Sequence, residues 1–135
     1  MITAVLHPAS GEVPEFCRAI GQIQPEIRFE VSLPTAWNKR LYMFGNGGQA
    51  GENLEAPARI AHRDAALKLG VAVAQTNTGH DAGQEPGWTF AVNSQKLLDY
   101  AFRAVHVTTE TAKKLSAAYY GSEPARSYFN GCSNG

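Results

Sequence analysis

The sequence predicts an α/β fold in which N-terminal antiparallel strands lead into a strand-helix-strand-helix-strand run around a parallel sheet. Three observations carry that prediction. Residues 16–34 alternate apolar and polar side chains with a period of two, as half-buried strands do. Later apolar runs are short and continuous, as in strands covered on both faces, and they end in Gly- and Asn-rich turns. Two helix-length periodic segments separate those runs.

In chain order, "FCRAIGQI" (16–23) and "IRFEVSLP" (27–34) read as an antiparallel pair, with Ile27, Phe29 and Val31 on one face. "LYMF" (41–44) is a buried strand that exits into "GNGG". "APARIAHRDAALKLG" begins near Pro57, tolerated in a helix's first turn, and stops at Gly70, a good terminator. Its Ala61, Ala65 and Leu69 form one apolar stripe at i, i+4 and i+8. "VAVAQT" (71–76) is another buried strand. The loop "NTGHDAGQEPGWTFAVN" then gives way to a long amphipathic helix from Ser94 to Tyr119, with Leu98, Phe102, Val105, Ala112, Leu115 and Tyr119 on its apolar side. Asn93 or Ser94 is its N-cap and Gly121 closes it. "SYFNG" (127–131) returns as a strand.

Bulk composition narrows the function. The 135 residues are enough for one domain with a core, and 12 basic against 12 acidic side chains leave a formal charge of zero with no block of either sign. Neither nucleic acid nor an anionic membrane is an expected partner, and any substrate is small. The start "MITAVLHPAS" has neither a basic n-region nor a long apolar run, so no signal peptide is written there, and no stretch approaches a membrane span. The two cysteines, Cys17 and Cys132, are far apart in sequence, and one long-range disulfide between them is open to geometry.

In a parallel sheet the loops after the strands' carboxyl ends gather on one edge, where ligands bind. Here those loops are "GNGG", "TNTGH" and "GCSNG", and they are expected to converge. The last centres on Ser133 in Gly131-Cys132-Ser133-Asn134-Gly135, a G-x-S-x-G turn directly after a predicted strand. A serine hydroxyl must protrude from a sharp turn to meet both a base and a substrate, and flanking glycines let neighbouring backbone approach. The developing oxyanion needs two N–H groups: Asn134 supplies one, and Gly47 or Gly48 in "FGNGGQAG" the other. That loop lacks the Lys-Ser/Thr of a Walker motif and does not fit G-x-G-x-x-G.

Other residues read more blandly. His80 is the one histidine on the presumed active edge, and a structural role suits it better than that of base, because in this chain order the histidine follows the serine. Cys132 could be a rival nucleophile, but the glycine frame centres on Ser133, which leaves Cys132 as a buried thiol or half of a disulfide. No Cys/His spacing suggests zinc, and Asp81 and Glu85 could hold a cation only with ligands from elsewhere. Trp37 and Trp88 either line an aromatic pocket or anchor loops.

Together, "FCRAIGQI", "IRFEVSLPTAWNKRLYMFGNGGQAG", "GVAVAQTNTGHD", "AAYYG" and "SYFNGCSNG" resemble the tannase and feruloyl esterase family of α/β-hydrolases, from about Phe16 to Gly135. The resemblance implies that Ser133 is the nucleophile. It also implies that Cys132 is disulfide-linked to a cysteine beside the catalytic histidine. That cysteine, the histidine, the catalytic acid and a calcium-binding lid would all lie downstream of the elbow. Residues 1–135 are then expected to be a partial α/β-hydrolase catalytic domain, truncated after the nucleophile strand, with no cofactor of its own and no activity in isolation. The full-length protein would be a serine carboxylesterase acting on phenolic-acid esters, secreted or periplasmic. Two alternatives stand beside it: a non-catalytic binding or interaction module if the chain truly ends at Gly135, and an esterase or peptidase of another α/β-hydrolase branch.

Overall fold

The computed structural model describes residues 1–135. Its single sheet has six strands in the order β1-β2-β3-β5-β4-β6. Strands β1 (Ile2–His7), β2 (Phe16–Ile23) and β3 (Ile27–Pro34) form an antiparallel meander. Strand β3 then pairs antiparallel with β5 (Ala72–Thr76), while β4 (Arg40–Phe44) lies parallel to both β5 and β6 (Arg126–Asn130). The antiparallel start and the parallel trio are both as the sequence predicts. Strand β1 is an addition: its Val5 and Leu6 are exposed, so no buried face marks it in the sequence, and its register with β2 defines it instead.

Alternation along the central strands divides the core between two sides of the sheet. Leu41, Met43, Ala72 and Ala74 pack with Phe29, Val31 and Leu33 under helix α3 (Ala104–Tyr120), which contributes Ala112. Phe44, Val71 and Val73 pack on the opposite side with Ala66 of helix α1 (Pro57–Lys68). Helix on sheet on helix is the layering that this strand and helix order predicts.

Helix α1 has the expected limits, with Pro57 in its first turn and Gly70 beyond its end at φ 73°. Its buried face is not the expected one. Ala61 and Ala65 are exposed and Leu69 is 68% exposed, whereas Arg59, Ala66 and Leu67 are buried. The sheet beneath the helix carries a charge: Glu30 on β3 is 1% exposed and pairs with Arg18 at 2.6 Å and Arg63 at 3.5 Å. Arg59 turns the same way, onto Glu52 and the Gly45 carbonyl. Ala61 lies about 200° around the helix from Arg59, so pinning the arginines inward turns the alanine stripe out.

The long C-terminal helix also departs from its expected face. Asn93 caps it, its side chain accepting from the N–H groups of Gln95 and Lys96. Helix α2 (Ser94–Leu98) then passes through a π turn, Asp99–Arg103, before α3 begins. A π turn inserts one extra residue. The buried positions step from Asp99 to Ala104, then to Thr108, Ala112 and Ser116, a spacing of five followed by fours. Ala112 stays in the core, with Val105 and Leu115 packed against it, but Leu98, Phe102 and Tyr119 are exposed. No helix is long and apolar enough to cross a membrane.

Candidate active site

The exits of β4, β5 and β6 meet at the carboxyl edge of the parallel trio. Gly45 N–H donates to the Asn130 carbonyl at 2.8 Å, and Asn46 Nδ2 donates to the Thr76 carbonyl at 2.8 Å. Gly51 N–H reaches the Asn77 carbonyl at 3.0 Å and Thr78 Oγ1 at 3.2 Å. The approach is close enough to require glycine: a Cβ on Gly45 would lie 2.8 Å from Gly135 Cα, and one on Gly135 would lie 2.9 Å from Asn46 N. A Cβ on Gly131 would overlap the Gly135 carbonyl.

Ser133 sits at the top of this crowded turn with φ 60°. A non-glycine residue rarely occupies the left-handed region, and such strain gathers at functional sites. The turn is closed by Gly135 N–H donating to the Cys132 carbonyl at 3.0 Å. Ser133 is exposed. Cys132 is exposed as well, and it and Cys17 are free thiols within residues 1–135. Cys17 lies on β2, four strand positions from β6 in the sheet order. At about 4.8 Å per strand that is roughly 19 Å, beyond the reach of a disulfide.

The loop after β4 is organised by Glu52, which the sequence does not single out. Its carboxylate accepts from Gly47 N–H at 3.2 Å and from Asn46 Nδ2 at 2.9 Å, and it pairs with Arg59. Arg59 also donates to the Gly45 carbonyl at 3.0 Å. Burial lowers the Arg59 pKa from its ordinary value, though a guanidinium keeps its proton. The Gly47 N–H is therefore engaged, while the Gly48 N–H makes no hydrogen bond to the protein. The Gly48 carbonyl accepts from the Tyr100 hydroxyl at 3.0 Å and from Asn134 Nδ2. Asn46, Glu52, Arg59 and Tyr100 were all missed in the sequence, where nothing in their spacing links them to the glycines.

His80 is 1% exposed, its ring stacked on Phe90 with centroids 3.8 Å apart, and burial lowers its pKa from the ordinary 6.5. No hydrogen bond joins it to Ser133, and both of its ring nitrogens are buried without a hydrogen-bond partner. Trp37 anchors: it stacks on Tyr120 at 4.0 Å and donates to the Arg40 carbonyl. Trp88 is 55% exposed and meets Tyr100 edge-on at 5.4 Å, so it lies beside the Gly48 loop. Asp81 accepts from Gly83 N–H and Glu85 pairs with Lys96, and no three His, Cys, Asp or Glu side chains converge to hold a metal ion. The residues present do not fit a calcium site.

A cavity of about 910 Å³ lies away from Ser133, over β2 and β3 beside the segment 50–55. Arg18, Glu30 and Glu55 in its lining are already paired with one another. None of Ser133, Asn134, Gly47 or Gly48 borders it, so size alone does not mark the chemistry.

Comparison with known proteins agrees with this layout. The family model for tannase and feruloyl esterase matches residues 11–135. An uncharacterized esterase of Xanthomonas campestris pv. campestris is 36% identical over 130 residues, covering 91% of this chain and 21% of that protein. Feruloyl esterase B of Aspergillus niger is 36% identical over 125 residues, covering 90% and 23% respectively. The crystal structure of feruloyl esterase B from Aspergillus oryzae superposes with a TM-score of 0.73 at 25% identity, covering 98% of this chain and 28% of that one. The chain thus spans about a fifth to a quarter of the length of the curated relatives it matches.

Proposed function

The chain belongs to the tannase and feruloyl esterase family, and from that premise we propose that it carries the nucleophile and oxyanion loop of a serine carboxylic ester hydrolase. One observation carries the proposal: Ser133 is held at φ 60° on an exposed turn, directly after a parallel strand, between glycines that admit no side chain. That geometry presents a hydroxyl rather than burying it.

In this mechanism Ser133 Oγ attacks the ester carbonyl carbon while a histidine takes its proton. The tetrahedral oxyanion is bound by the backbone N–H groups of Asn134 and Gly48. Gly48 is preferred over Gly47 because Gly47 N–H is committed to Glu52 at 3.2 Å. Collapse expels the alcohol, which receives the proton from the histidine. Water then attacks the acyl-enzyme, passes its proton to the same base, and releases the acid and free Ser133. The histidine, its carboxylate partner and a cysteine paired with Cys132 would lie outside residues 1–135. Residues 1–135 alone would hydrolyse no ester, and a calcium ion would belong to a lid outside them.

Esters of phenolic acids are the proposed substrates. The named feruloyl esterases among the relatives support that class, as does exposed Trp88 beside the oxyanion loop, where it could meet an aromatic acyl group. Treatment of the full-length protein with a fluorophosphonate probe is expected to leave one phosphonyl group on Ser133. An adduct at any other residue, with Ser133 unmodified, rejects the assignment.

A further inference from the structure

We propose that Tyr100 is a positioning residue for the oxyanion loop, its hydroxyl fixing the spacing between the Gly48 and Asn134 N–H groups. The inference rests on the proposed roles of Ser133 and of those two donors. The Tyr100 hydroxyl uses both of its hydrogen-bonding capacities: it donates to the Gly48 carbonyl at 3.0 Å and accepts from Asn134 Nδ2 at 2.5 Å. Asn134 Nδ2 also reaches the Gly48 carbonyl directly. The residue after the nucleophile and the glycine of the β4 exit are thereby tied together through a third element.

Gly48 needs such a tie. Its φ is +54° and a Cβ placed on it would meet nothing within 4 Å, so open space lies on its side-chain side. A carbonyl that swung toward the reacting centre would repel the oxyanion, and rotation of the Gly48–Gln49 peptide would shift the Gly48 N–H through the shared Cα. The hydroxyl of Tyr100 is one of two donors that restrain it.

Tyr100 is itself well placed for the task. It sits in the π turn Asp99–Arg103, and turns of this type recur at functional sites. Neighbouring Asp99 is fully buried, approaches Gly79 so closely that a Cβ there would lie 2.7 Å from its own Cβ, and accepts from Gln95 and Arg103. The tyrosine ring packs against Phe90 at 5.2 Å and Trp88 at 5.4 Å. Removing the hydroxyl therefore leaves the ring seated and the Gly48 carbonyl with a single donor, Asn134 Nδ2.

The test is Tyr100→Phe in the full-length protein, with rates normalised to sites titrated by the fluorophosphonate. The expected result is a fall in kcat of about tenfold, KM within about twofold, and a matching loss of affinity for a trifluoromethyl ketone transition-state analogue. A merely structural hydroxyl would move the thermal midpoint and leave the analogue affinity of the folded enzyme alone. Analogue affinity within twofold of wild type overturns the inference. Absence of a Ser133 adduct in the wild-type protein would instead reject the underlying assignment of the nucleophile, so the two failures are separable.

Discussion

The β2–β3 hairpin and the three loops that leave β4, β5 and β6 belong to one sheet but are held in place by different forces. The hairpin pairs Phe16 with Pro34 through to Ile23 with Ile27, and it sets Ile27, Phe29, Val31 and Leu33 into the core. Its register is defended by burial, because a one-residue slip would put Glu30 and Ser32 where those apolar side chains now pack. The loops contain Ala50, Thr78 and Ser133, all at positive φ, where β2 and β3 contain none. They are held by side chains reaching backbone: Asn46 to Thr76, Glu52 to Gly47 and Tyr100 to Gly48. Strain collects where chemistry is proposed, and it is supported by polar contacts rather than by apolar packing.

The contrast predicts that the two regions fail differently. The largest effect is expected at Gly131→Ala, where the new methyl must displace the Gly135 backbone. Chemical denaturation should show a loss of about 3 kcal/mol, and ester hydrolysis by the folded full-length protein should fall by at least about 10²-fold. Wild-type activity in that variant would mean that the close approach is not needed. Next is Ile27→Val in the hairpin, at a fully buried position. It should cost about 1 kcal/mol and leave kcat/KM per folded molecule unchanged. A drop in kcat/KM there would erase the distinction between the regions.

The smallest effect is in pH dependence. Burial depresses the folded-state pKa of His80 below the ordinary 6.5. Above 6.5 the ring is neutral in both folded and unfolded chains, so stability is complete there. As pH falls below that value the unfolded chain takes up the proton first, and stability declines until the folded ring also titrates. Subtracting the stability profile of a His80→Gln variant from that of the wild type should isolate this decline. A difference that rises on acidification would contradict the burial of a neutral ring.

Much of the fold was legible because its signals are local. Pro57 and Gly70 bracket α1, Asn93 caps the long helix, and period-2 alternation marks β2 and β3. The misses have long-range causes. The face of α1 is decided by Glu30, 33 residues from Arg63 in sequence, and the face of α3 by an inserted residue in a π turn that composition does not announce. The site divides in the same way. Ser133 and its glycines lie within five residues of one another, so their pattern is visible in the chain. Tyr100 and Gly48 are 52 residues apart, and only the folded chain brings them together.

The central claim is that Ser133, and not its exposed neighbour Cys132, forms the covalent bond to substrate. It is tested most directly by mixing the full-length protein with an activated aryl ester, quenching in acid during the burst, and locating the acyl group by peptide fragmentation. The account predicts an acyl mass on Ser133 that decays at the rate of steady-state turnover. An acyl group on Cys132, or turnover with no acyl-enzyme at Ser133, would contradict it.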